Sequence, residues 1–129
     1  MHKPPLIVLA DDDEGLVRAL RVRLEYAGYA VSTAYDAAGA LDLAEKLDPD
    51  LMLLDIHMPT GDGFSVQERF EQMHPSTRPP VIYITGDDDP IVNLTGDIVG
   101  AFAIVSKPLD FADLRVLIEQ AISKVRQAA

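Results

Sequence analysis

Four apolar runs in this chain end on groups that can hold or move charge. Leu6-Ile7-Val8-Leu9-Ala10 stops at Asp11 and Asp12, and Leu51-Met52-Leu53-Leu54 stops at Asp55. Val81-Ile82-Tyr83-Ile84 stops at Thr85, and the run from Ala101 stops at Ser106-Lys107-Pro108. Apolar runs of this length that end at a turn read as strands buried on both faces. If the strand ends meet, three carboxylates share one crevice. Two like charges at ~4 Å repel by roughly 4 kcal/mol at an effective dielectric of about 20. Lys107 offsets one of the three charges and a divalent cation would offset the other two. Hard oxygen ligands select Mg²⁺. A carboxylate, Mg²⁺, a lysine and a hydroxyl are the parts that phosphoryl transfer needs, with Asp55 as the in-line nucleophile.

The elements between these groups must bring them together. Asp13 is placed to cap a helix to about Ala27, with Leu16, Val17, Leu20 and Leu24 at helical spacing and Gly28 as its stop. Ala30 to Ala34 mixes Val31 with Ser32 and Thr33, which suits a strand at a sheet edge. Asp36 caps a second helix with Leu41, Ala44 and Leu47 on one side, broken by Asp48-Pro49-Asp50. A third helix is expected from about Phe64 to Met73, and a weaker fourth over Pro90 to Val99, where Asn93, Thr95 and Gly96 lower the propensity. Asp87-Asp88-Asp89 is placed to cap that fourth helix, and Asp110 a fifth with Leu114, Leu117, Ile118, Ala121, Ile122 and Val125 as an apolar stripe. Strand and helix alternate five times, which predicts an α/β fold: a flavodoxin-like, doubly wound, five-stranded parallel sheet of order 2-1-3-4-5 with five helices. Ligands of such sheets bind outside the carboxyl ends of the strands.

Length and composition narrow the function. The 129 residues suit a single domain, residues 1–129. The 21 Asp and Glu against 11 Lys and Arg give a formal charge of -10, which disfavours direct contact with nucleic acid or anionic lipid. The chain has no cysteine, so thiolate metal sites and disulfides are excluded. The first apolar run is too short and too acidic at its end for an export signal, and no run reaches transmembrane length. A cytoplasmic location is expected.

With these residues placed, the chain closely resembles response-regulator receiver domains, the CheY-like family. The motifs are Leu9-Ala10-Asp11-Asp12-Asp13-Glu14, Leu54-Asp55-Ile56-His57-Met58-Pro59-Thr60-Gly61-Asp62-Gly63, Ile84-Thr85-Gly86 and Ser106-Lys107-Pro108, and the resemblance covers about residues 5 to 125. It implies a switch of a two-component or phosphorelay system, not an enzyme, that promotes its own phosphotransfer and slow autodephosphorylation. Asp55 would take a phosphoryl group from a phosphohistidine on a sensor histidine kinase or a histidine phosphotransfer protein, with Thr85 and Lys107 contacting that group. Mg²⁺ would sit on Asp12, Asp55 and the backbone carbonyl of His57, with Asp11 reaching it through water. The Lys107-Pro108 bond would be cis.

The chain departs from that family at three places. An aromatic is common three residues before the lysine; here that position is Ile104, and the nearest aromatic is Phe102. Gly86 follows Thr85 where alanine is frequent. His57 and Asp87 lie two residues past Asp55 and Thr85, positions that tune water access to the acyl phosphate in the family. His2 and His74 carry no role in this reading. The fourth helix, fifth strand and apolar stripe of the fifth helix are expected to bind a partner, a fused output domain or a second copy. The chain is expected either to act alone or to be the receiver part of a larger regulator. Two competing readings are a pseudo-receiver that binds partners without phosphorylation and a phosphatase of the haloacid dehalogenase type. The second needs an acid where His57 stands and a nucleophile on the first strand.

Overall fold

A computed structural model describes residues 3–86 and 90–128, of which 126–128 as backbone only. Among the described residues, five strands alternate with five helices: β1 Leu6–Ala10, α1 Glu14–Tyr26, β2 Ala30–Ala34, α2 Ala37–Leu47, β3 Leu51–Asp55, α3 Gly63–Met73, β4 Val81–Thr85, α4 Pro90–Val99, β5 Ala103–Ser106 and α5 Phe111–Ala128. The strands form one parallel sheet in the order β2-β1-β3-β4-β5, the expected doubly wound order. Side chains alternate across each strand. Val8, Ala10, Met52, Leu54 and Tyr83 therefore face α2, α3 and α4, while Ile7, Leu9, Leu51, Leu53, Ile82 and Ile84 face α1 and α5. Every residue of β3 and β4 is buried, as continuous apolar runs require.

Short polar residues set the helix starts. Asp13 accepts from the Leu16 N–H, Asp36 from Gly39, Asp62 from Ser65 and Asp110 from Asp113, at 3.1, 2.6, 2.7 and 3.1 Å. Each bond satisfies an amide that the first helical turn leaves open. The Asp62 cap starts α3 at Gly63, one residue before the expected Phe64. The expected cap at Asp87-Asp88-Asp89 lies outside the described residues. After β3, a two-residue antiparallel ladder pairs His57–Met58 with Gly61–Asp62, which the sequence pattern did not indicate. The tip of this loop closes the N-terminus of α2: Ala37 N–H donates to the Pro59 carbonyl and Ala38 N–H to Thr60 Oγ1, both at 3.1 Å.

Three expectations are corrected. The buried face of α2 is Ala37, Ala40 and Ala44, with Leu41 at its margin and Leu47 40 % exposed. Small residues let this helix lie close against the sheet, and the leucines fall to its flank. β5 begins at Ala103, not Ala101, because Ala101 closes α4. Gly100, at φ 78°, turns the chain left-handed, and Ala101 N–H donates to the Gly96 carbonyl at 2.9 Å. The stripe of α5 is not a partner surface: Leu114, Ile118, Ala121 and Ile122 are core, packed on the sheet. Of the stripe, Val125 is exposed, and the other exposed large apolar residues of α4 and α5 are Ile91, Leu94, Ile98 and Val116.

Gly63 is where backbone, site and core crowd most closely. A Cβ there would lie 2.5 Å from the Asp55 carbonyl oxygen and 2.9 Å from the Tyr83 ring. Overpacking of this kind typically costs 1–3 kcal/mol. Gly63→Ala is expected to lower stability by about 2 kcal/mol in urea unfolding; an unchanged midpoint would contradict the packing described.

Candidate functional site

The sheet brings the chemically active residues to one edge. Ala10 pairs with Leu54, so Asp11 and Asp55 leave neighbouring strands side by side. Thr85 pairs with Ser106, and the Lys107 N–H donates to the Thr85 carbonyl at 2.8 Å, which directs the lysine toward the same edge. Lys107 Nζ then lies 3.0 Å from Asp11 Oδ2 and 3.5 Å from Asp55 Oδ2. Asp11, Asp55 and Thr85 are buried, Lys107 is half-buried, and Asp12 is exposed at the rim. The Lys107-Pro108 bond is cis, as the resemblance implied.

Two backbone amides complete the local wiring. Asp13 N–H donates to Asp11 Oδ1 at 2.9 Å, and His57 N–H to Asp55 Oδ1 at 3.3 Å. These bonds leave the Oδ2 atoms of both carboxylates turned to Lys107. Asp11 Oδ2 is fully buried and has no well-angled hydrogen bond among the described residues; the ion pair with Lys107 is its partner. One oxygen from each of Asp11, Asp12 and Asp55 lies within 4.8 Å of the others. The cluster therefore sums three negative charges and one positive.

That surplus has a measurable consequence. Burial, then the neighbouring Asp11 charge, pushes the Asp55 carboxyl up to about 6, against the pull of Lys107 and the His57 amide. Burial opposes the charge on Lys107, but its close contact with Asp11 and the charges of Asp11 and Asp55 hold the ammonium above its ordinary value. The site is thus short of positive charge at neutral pH. An all-oxygen donor set with a buried oxygen lacking a hydrogen bond fits a hard divalent cation. A cleft of about 750 Å³ lies elsewhere, where the Arg23 guanidinium stands 5.3 Å over the Phe111 ring between α1 and α5.

Comparison with known proteins agrees with this arrangement. The family model described as "Response regulator receiver domain" matches residues 7–119. The chain belongs to this receiver family. Response regulator PleD of Caulobacter vibrioides is 40% identical over 116 residues, which span 86% of this chain and 25% of that protein. The alkaline phosphatase synthesis transcriptional regulatory protein PhoP of Bacillus subtilis is 32% identical over 129 residues, 100% of this chain and 52% of that one. A CheY-like receiver domain protein of Methanospirillum hungatei superposes with a TM-score of 0.90 at 25% identity, covering 98% of this chain and 99% of that one. The receiver spans about half the length of the first curated relatives it matches. The family is one of signalling switches in two-component systems. Among the described residues, no helix is long and apolar enough to cross a membrane.

All five residues singled out from the sequence for their side chains gather at this edge, and His57 is exposed beside it. Asp87 lies outside the described residues. Thr60 and Asp62, which anchor the loop after Asp55, were not singled out. The Asp62-Gly-Phe-Ser65 spacing of a helix cap was their only signal.

The raised Asp55 pKa sets the sign of a pH effect. Its folded value lies above the ordinary value of 3.8, so the folded state binds the proton more tightly than the unfolded chain. Asp55 therefore adds most to stability below about pH 4, and that contribution is lost as pH rises through about 6. In a chelator at pH 8, Asp55→Asn is expected to raise unfolding stability by about 2 kcal/mol, and at pH 4 by close to nothing. A variant no more stable than wild type at pH 8 would show that the carboxylates are not in conflict.

Proposed function

We propose that this receiver is a phosphorylation-operated switch in which Asp55 is the phosphoacceptor. The observation that carries the proposal is Lys107, held between two buried carboxylates at the carboxyl end of the sheet. An Asp55 oxygen attacks the phosphorus of a phosphohistidine. The new O–P bond forms as the N–P bond breaks, and the imidazole nitrogen keeps the electron pair. The donor is a sensor histidine kinase or a histidine phosphotransfer protein, reached in the cytoplasm. Lys107 and the Thr85 hydroxyl contact oxygens of the transferred group and stabilise its charge. Asp12, Asp55 and the His57 carbonyl would hold Mg²⁺, with Asp11 reaching it through water; when bound, the ion neutralises charge on the phosphoryl oxygens. Asp55 is nucleophilic as the carboxylate, so transfer falls in acid, and a dication bound beside it would favour the carboxylate and move that fall to lower pH.

The phosphoryl group adds negative charge and new acceptors at the strand ends. Contacts with Thr85 and Lys107 then favour one placement of the elements that follow them. The surface that reads this state is α4, β5 and α5, where Ile91, Leu94 and Ile98 are exposed along one helix at 65, 59 and 76 %. A partner protein, a second copy or a fused output domain would cover that row. His57 and Asp87 set the lifetime of the phosphorylated state by controlling the approach of water, and slow autodephosphorylation ends it.

Incubation with acetyl phosphate and Mg²⁺, followed by intact-mass spectrometry, tests the assignment. Wild type is expected to gain one phosphoryl group, Asp55→Asn none, and Lys107→Ala much less than wild type. An unlabelled wild type would favour a module that binds partners without phosphorylation. Steady turnover of a phosphate ester would favour a phosphatase. His57→Ala and Asp87→Ala are each expected to change the decay rate of the labelled protein severalfold, and unchanged rates would remove both residues from that role.

A further inference from the structure

A buried polar chain crosses the layer between the sheet and α4, and the phosphoacceptor chemistry does not use it. Tyr83 is fully buried in β4, two residues before Thr85. Its ring packs on Phe64, with centroids 4.6 Å apart, and on the Cα of Gly63. Its hydroxyl donates to Gln67 Oε1, with the Gly63 carbonyl 3.2 Å away. Gln67 is 2 % exposed on α3, and its Nε2 donates to the Val99 carbonyl at 2.9 Å and to Glu71 Oε2 at 3.0 Å. Only this amide orientation gives both N–H groups a partner, because the flipped amide would turn its oxygen toward the Val99 carbonyl and the Glu71 carboxylate. The Val99 carbonyl is one of the groups that the end of α4 leaves open. A buried glutamine thus closes the C-terminus of one helix while accepting a hydrogen bond from the central sheet.

The upper end of the chain touches the site. Gly63 opens α3, its N–H donates to the Ile56 carbonyl at 2.8 Å, and its Cα is wedged between the Asp55 carbonyl and the Tyr83 ring. Gln67 lies four residues further along the same helix, so it moves with Gly63. The position three residues before Lys107 carries no hydroxyl or aromatic ring. Ile104 occupies it, and its Cδ1 fills the space that a Cβ on Gly96 of α4 would need. This contact of α4 with β5 is steric, and Gln67 of α3 gives α4 a directional one.

We propose that Gln67 is a positioning residue that couples α4 to the loop carrying Asp55, through Tyr83 on one side and the Val99 carbonyl on the other. The inference rests on the reading of Asp55 as the phosphoacceptor. A charge added at Asp55 displaces the loop at Gly63. The start of α3 shifts with it, and Gln67 carries that shift to the C-terminal end of α4. Fully satisfied buried networks transmit displacement because each member has one low-energy arrangement.

Amide hydrogen exchange of the full chain, with and without Mg²⁺ and beryllofluoride as a phosphoryl mimic, tests the coupling. Two variants cut the chain at different links. Gln67→Met removes the bonds with Tyr83 and Val99, together with the one to Glu71, at similar volume, and Tyr83→Phe removes only the phenol's donation and leaves the Gln67–Val99 bond intact. Without ligand, Gln67→Met is expected to speed exchange at the end of α4 about fivefold, the size set by one neutral hydrogen bond, with α1 unchanged. With beryllofluoride, the wild type is expected to change its α4 protection. Both variants should still bind the mimic, seen by ¹⁹F NMR, yet show at most half of that change. A purely structural glutamine would leave the response intact in Tyr83→Phe. A full α4 response in either variant overturns the inference alone, whereas a wild type that binds no mimic overturns the phosphoacceptor reading and the inference with it.

Discussion

The structure turns on a shortage of positive charge. One ammonium, Lys107, faces the buried Asp11 and Asp55 at 3.0 and 3.5 Å, with Asp12 at the rim. Folding brings these groups together because the hydrophobic effect aligns β1, β3, β4 and β5, and the strand ends have no freedom to separate. The apolar runs beneath, fully buried along β3 and β4, supply the driving force. The carboxylates are held in mutual repulsion that water would otherwise screen. A site prepared in this way favours whatever adds positive charge, whether a proton on Asp55 or a dication. In the proposed function, a dication held there would leave Lys107 and Thr85 to contact the phosphoryl group. Stability given up at the mouth of the sheet is the source of responsiveness there.

Rigid and adjustable parts are divided along the chain. The sheet and the alanine face of α2 are closely packed and set the positions of the carboxylates. The loop from His57 to Asp62 is held differently, by a two-residue ladder, an Asp62 cap and two bonds to the start of α2. Its Thr60 and Gly61 sit at positive φ. A segment pinned by a few directional bonds has discrete alternative placements, which a charge at Asp55 can select. Gly63 passes from this loop into α3, so the same residue ends the adjustable part and begins the rigid one.

Much of this was legible in the sequence, for physical reasons. Parallel strands buried on both faces cannot be disguised, so β1, β3 and β4 stand out as apolar runs, and the aspartate caps of α1, α2 and α5 announce themselves. The site residues are readable because polar side chains at the ends of apolar runs have a known destination in a doubly wound sheet. What was not legible depends on contacts between elements. Ala37, Ala40 and Ala44 bury a helix face that the leucines seemed to define, and the stripe of α5 faces the core rather than a partner. β5 starts late because Ala101 closes α4. Tyr83 reads as one residue of an apolar strand and Gln67 carries no signal of its own, since only the packed layer brings them together. Periodicity reports which side of a helix is apolar, not which neighbour covers it.

The most direct test of the charge argument is a calorimetric titration of the chain with Mg²⁺ at neutral pH. The account predicts uptake of one equivalent at millimolar concentration, weakened strongly by either Asp12→Asn or Asp55→Asn. Absence of uptake by the wild type, or binding in both variants as strong as in the wild type, would contradict it.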